Sequence, residues 1–81
     1  MASFLFFGRF SDLSHELTID IPEKILTTDD LFPWLDKQVP GLLELLSTPG
    51  SRVAVNQAVV SGVTSVSNDD EIAFMSALSG G

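Results

Sequence analysis

Glu71-Ile72-Ala73-Phe74-Met75-Ser76-Ala77-Leu78-Ser79-Gly80-Gly81 ends the sequence. Its first five residues place Ile72 and Phe74 on one face of an extended chain, with Ala73 and Met75 on the other. That pattern predicts a strand over 71–75. Small residues follow, and the last two are glycines, which add no side chain and tolerate backbone angles closed to other residues. The expected organisation is one folded domain over 1–75 and a flexible tail over 76–81. Six extended residues reach roughly 20 Å at ~3.3 Å each, far enough to carry a carboxylate into another protein.

Working back from that strand, Ser67-Asn68-Asp69-Asp70 reads as a polar turn. Arg52-Val53-Ala54-Val55-Asn56 has strand character, and Val59-Val60 continues it after a turn near Asn56-Gln57. Thr27-Thr28-Asp29-Asp30 is a helix start, with the N-cap expected at one of its last three residues and the carboxylates at the positive end of the helix dipole. Pro33 fits only near that start, where amide donors are spare. Leu31, Leu35 and Gln38 or Val39 follow helical spacing, with Trp34 beside them. Pro40-Gly41 breaks the helix, and Leu42 to Leu46 predicts a second short helical turn. Near the beginning, apolar residues of both parities at Phe4 to Phe7 suggest a strand covered on both faces, running from Ser3 to Phe10 with an interruption at Gly8. Glu16 to Ile21 alternates, with Leu17, Ile19 and Ile21 on one face, and pairs with the first strand as a hairpin. The fold class is α+β, a helix packed on one face of a mixed sheet.

Composition bounds what such a domain does. The 81 residues are 44% hydrophobic and suit one small domain. With no cysteine, disulfides, thiolate metal sites and a cysteine nucleophile are excluded. His15 is the single histidine, which argues against a zinc site or a serine triad. The apolar Ser3 to Phe7 run lacks the length and basic flank of a signal peptide, and no run approaches the ~20 residues of a membrane span. A cytoplasmic protein with no membrane association is expected. The net charge of -7 argues against nucleic-acid binding. It serves solubility, or attraction to a basic partner.

Four local clusters bear on function. Asp69-Asp70-Glu71 suggests a metal site, but a solvated turn is the favoured reading, since calcium needs more oxygen ligands in a defined loop. His15 beside Glu16 suggests a proton-transfer pair, against which an exposed hairpin residue is favoured. Phe4, Phe6, Phe7 and Phe10 suggest a stacking platform for bases, but at this net charge a core or a protein interface is favoured. Gly80-Gly81 has no following helix and is not a phosphate cradle. Its sterically open carboxylate suits attack on ATP.

Leu5-Phe6-Phe7, Val53-Ala54-Val55-Asn56-Gln57, Asp70-Glu71-Ile72-Ala73-Phe74 and Ser79-Gly80-Gly81 together resemble the small subunits of molybdopterin synthase, a family of ubiquitin-like sulfur carriers. The likeness spans the chain. The glycine pair alone also fits thiamine-pathway sulfur carriers and ubiquitin-like modifiers. The resemblance implies a β-grasp fold and a non-catalytic sulfur-donor subunit in molybdenum cofactor biosynthesis. It implies that an E1-like adenylyltransferase and sulfurtransferase consumes ATP to adenylate and thiocarboxylate Gly81. The Ser79-Gly80-Gly81 tail then threads into the molybdopterin synthase large subunit, which holds the catalytic pocket, and sulfur passes to a pterin precursor. No cofactor or metal is implied on this chain. The partner-facing apolar patch of the family falls on Phe7, Val59 and Met75, each of which has core packing as its alternative. One departure stands out: the family usually has two prolines where this chain has Ser76-Ala77, so a looser exit of the tail is expected. A carrier for thiamine, cysteine or tRNA thiolation, a protein modifier joined through Gly81, and a plain binding module are the alternatives.

Overall fold

The structure is a computed structural model that describes residues 1–76. Five strands form one mixed sheet: β1 (Ala2–Phe6), β2 (Glu16–Ile19), β3 (Arg52–Val55), β4 (Ala58–Val60) and β5 (Glu71–Met75), in the spatial order β2-β1-β5-β3-β4. β5 lies in the middle, parallel to β1 and antiparallel to β3. Two helices, α1 (Thr28–Gln38) and α2 (Leu42–Leu46), fill the connection between β2 and β3. This is a β-grasp, ubiquitin-like architecture with its main helix on one face of the sheet.

The covered face follows from the alternation of the strands. Phe4 and Phe6 of β1 stand level with Ile72 and Phe74 of β5, and Leu31, Leu35 and Val39 of α1 pack with them in one core cluster. Phe74 is its hub. Its ring lies 5.4 Å from that of Phe6, 5.8 Å from those of Phe10 and Phe32, and 6.5 Å from Phe4. The aromatic residues of the N-terminal segment are therefore core with one exception: Phe4, Phe6 and Phe10 are buried, whereas Phe7 is 49% exposed. This removes the stacking platform.

Several boundaries differ from the sequence expectation. The first strand stops at Phe6 because Gly8 turns the chain at φ +61, and Gly8–Asp12 winds into a 3-10 turn that drives Phe10 back under the sheet. β1 is not covered on both faces: Leu5 is only half-buried and Phe7 is exposed, since the helices lie on one side. β2 ends at Ile19 rather than Ile21. Ile21 leaves the strand because both its backbone groups bond the side chain of Asn68, its N–H donating to Oδ1 at 2.7 Å and its C=O accepting from Nδ2 at 3.0 Å. The helix N-cap is Thr27, one residue before the expected three. Thr28 is instead buried in the first turn, its N–H donating to the Thr64 carbonyl at 2.9 Å and its Oγ1 accepting from the Thr64 N–H at 3.1 Å. That tie fixes where α1 begins. Pro33 becomes the sixth helical residue, past the spare donors of the first turn. The short second helix, the β3–β4 hairpin and the final strand are where the sequence places them.

Truncating Phe74 to alanine removes the common neighbour of four rings. Phe74→Ala is expected to cost about 3–5 kcal/mol of stability, read from urea denaturation. A loss under about 1 kcal/mol would show that the cluster has another centre.

Candidate functional site

The site begins where β5 ends. Strand register assigns the side chains of the uncovered face. Leu5, Ala73, Ala54 and Val59 lie in one row across β1, β5, β3 and β4, and Met75 stands opposite Arg52 in the next. Phe7 continues extended beyond β1 (φ -121, ψ 159), and its N–H donates to the Phe74 carbonyl at 2.9 Å. Its ring therefore points to the same side as Leu5. So Phe7, Val59 and Met75, distant in sequence, share one open sheet face. Phe7 and Val59 are exposed, 49% and 64%, and Met75 is half-buried. Exposed rings and branched side chains on a sheet face with no helix over them suit contact with another protein. Ser79, Gly80 and Gly81 lie outside the described residues, as does Ala77.

The Asp69-Asp70-Glu71 cluster resolves into a scaffold element. Asp70 accepts from Asn56 Nδ2 at 2.9 Å through Oδ1 and from the Ser67 N–H at 2.8 Å through Oδ2. The Glu71 N–H donates to Asn56 Oδ1 at 2.9 Å, and the Asn56 N–H donates to the Glu71 carbonyl at 2.7 Å. Both Asp70 oxygens are thus committed to the chain's own donors. Among the described residues, no group of three or more His, Cys, Asp or Glu side chains is placed to hold a metal ion. Asn56 and Gln57 both have positive φ, 52 and 72, as a two-residue type I′ hairpin turn requires. Asn56 therefore makes the turn between β3 and β4 and bolts it to the start of β5. His15 is exposed.

A groove of about 310 Å³ on the helix side is lined by Lys24, Ile25, Asp30, Pro33, Trp34 and Lys37. It contains none of the open-face residues. No helix among the described residues is long and apolar enough to cross a membrane.

A small β-grasp domain with an open sheet face beside the end of its central strand has the architecture of the ubiquitin-like sulfur carriers. Residues 4–81 match the model of the ThiS family, and the chain belongs to that family. None of the curated protein sequences matches the chain.

The family match corrects the resemblance to molybdopterin synthase small subunits and, with it, the role in molybdenum cofactor biosynthesis. The structure shows why those motifs misled. The stretch from Val53 to Gln57 is β3 with its hairpin turn, and the stretch from Asp70 to Phe74 is the Asn56 clamp followed by the core hub. Both build the scaffold. They report the fold and carry no information about which acceptor receives sulfur.

Asp70→Ala is expected to cost about 1–2 kcal/mol through loss of two hydrogen bonds to its carboxylate. Millimolar calcium or magnesium should leave the Tm of the wild-type chain unchanged. A metal-dependent rise in Tm that Asp70→Ala abolishes would restore the metal reading.

Proposed function

We propose that this chain is a sulfur carrier of the thiamine pathway that holds sulfur as a thiocarboxylate on Gly81. The observation that carries this reading is the family match, which runs through residue 81 and includes Ser79-Gly80-Gly81. The chain has no cysteine, so sulfur cannot be held on it as a persulfide, and the carboxylate is the available acceptor. The carboxylate oxygen attacks the α-phosphorus of ATP and pyrophosphate leaves. The acyl carbon of the resulting adenylate is then attacked by a sulfur nucleophile, AMP leaves, and a thiocarboxylate remains. Adenylation supplies the good leaving group that a free carboxylate lacks. ATP and the catalytic groups belong to an E1-like activating enzyme. Glycines at 80 and 81 let the carboxylate enter a narrow channel, because neither carries a Cβ.

Phe7, Val59 and Met75 are proposed as the face that docks on that enzyme. In support, two of the three are exposed large hydrophobics on the uncovered side of the sheet. Docking there anchors the domain beside the end of β5 while the last residues reach the active site.

The test is an intact mass after incubation with ATP, a sulfide source and a ThiS-type activating enzyme. The expected product is heavier by one sulfur for one oxygen, localised to Gly81. Gly81→Ala should fold normally and lose sulfur transfer. A wild-type chain that stays unmodified beside a competent control carrier would sink the reading. The double variant Phe7→Asp/Val59→Asp should keep its Tm and bind the activating enzyme at least about tenfold more weakly, measured by titration calorimetry.

A further inference from the structure

We propose that Ser76 is a positioning residue: its hydroxyl, docked on the Gly8–Arg9 corner, sets the point and direction in which the chain leaves the sheet, a role that rests on the carrier reading above. The Arg9 N–H donates to Ser76 Oγ at 2.9 Å, across 67 residues of sequence. Arg9 is the second residue of the 3-10 turn, where backbone donors have no partner within the turn itself. A capping serine usually stands just before such a turn. That place is held by Phe7, whose side chain makes no cap hydrogen bond. Ser76 supplies the missing oxygen from the far end of the chain.

Gly8 makes the docking possible in two ways. Its φ of +61 lets the chain turn after β1, and a Cβ at this position would overlap the Ser76 hydroxyl. The corner is itself firmly held. Phe10, at the centre of the turn, is fully buried with its ring 5.8 Å from Phe74, and the Phe7 N–H is bonded to the Phe74 carbonyl. Ser76 is therefore tied to a turn anchored on the same residue that centres the core.

This revises the expectation of a looser exit. A proline would fix the exit by restricting φ; here a hydroxyl does so by bonding to a rigid neighbour. With residue 76 already held before a partner is met, less conformational freedom remains to be lost when the carboxylate is delivered. The effect belongs to docking, so it should appear in KM with little change in kcat.

The experiment uses the full-length chain labelled with nitrogen-15, together with its cognate activating enzyme and ATP, following pyrophosphate release. In the wild type, the Arg9 amide should exchange slowly and the Ser76 amide should show the order of the strand. Ser76→Ala should speed Arg9 exchange by about two- to tenfold. It should raise the KM for adenylation by a similar factor, roughly two- to tenfold, with kcat unchanged and Tm lowered by no more than the few degrees that one hydrogen bond accounts for. Ser76→Thr, which keeps the hydroxyl, should restore both. Fast Arg9 exchange in the wild type would overturn the lock. An unshifted KM in an otherwise active Ser76→Ala, or a rise in KM that Ser76→Thr does not reverse, would overturn the positioning role alone. A wild-type chain that is not adenylated overturns the carrier reading, and the positioning role with it.

Discussion

The ring of Phe74, held in the central strand among four other phenylalanines, is the contact on which the rest of this fold depends. It ties β5 to β1 through Phe4 and Phe6, to the first turn through Phe10 and to α1 through Phe32. Each tie brings together segments far apart in sequence, so closing the corresponding loops must be offset by burial gained at one place. A small domain has few such places, and concentrating them on one side chain makes its core cooperative and vulnerable at the same time.

The same constraint shapes the open face of the sheet. Aromatic residues of even number on β1 are drawn to the helix side, which leaves Phe7 and Leu5 on the other. The open face is thus a by-product of strand alternation combined with helices on one side only. Phe7, Met75 and Val59 come to share that face because β5 is inserted between β1 and β3. The central position of β5 also places Ser76 at the middle of the sheet, where its hydroxyl meets the Gly8–Arg9 corner. Core, open face and the place where β5 ends are consequences of one strand placement.

The polar clamps explain why motif reading went astray. Asn56, Asp70 and Asn68 resemble surface polar residues in the sequence, and each satisfies backbone or side-chain groups of a segment remote from it. Short side chains that bond backbone groups are favoured wherever a turn must be held in place. Their presence in a β-grasp therefore follows from the geometry of the fold and is independent of the pathway it serves. The family match over residues 4–81 supplied the distinction that those motifs could not.

The local pattern by itself determined the strand from Arg52, the strand at 71–75, and the two helices with the break between them at Pro40-Gly41, because alternation, helical spacing and turn chemistry act over a few residues. It also determined the chemistry that is excluded, since no cysteine and one histidine leave few reactive side chains. Only the tertiary structure decided that β5 pairs in parallel with β1, that Phe10 is core while Phe7 is open, and that Thr28 rather than a carboxylate fixes the start of α1. It alone brought Ser76 to Arg9. The physical reason is the range of the interactions: propensity and periodicity are written in neighbouring residues, whereas sheet order, face exposure and the capping of one terminus by the other exist only once distant segments have packed.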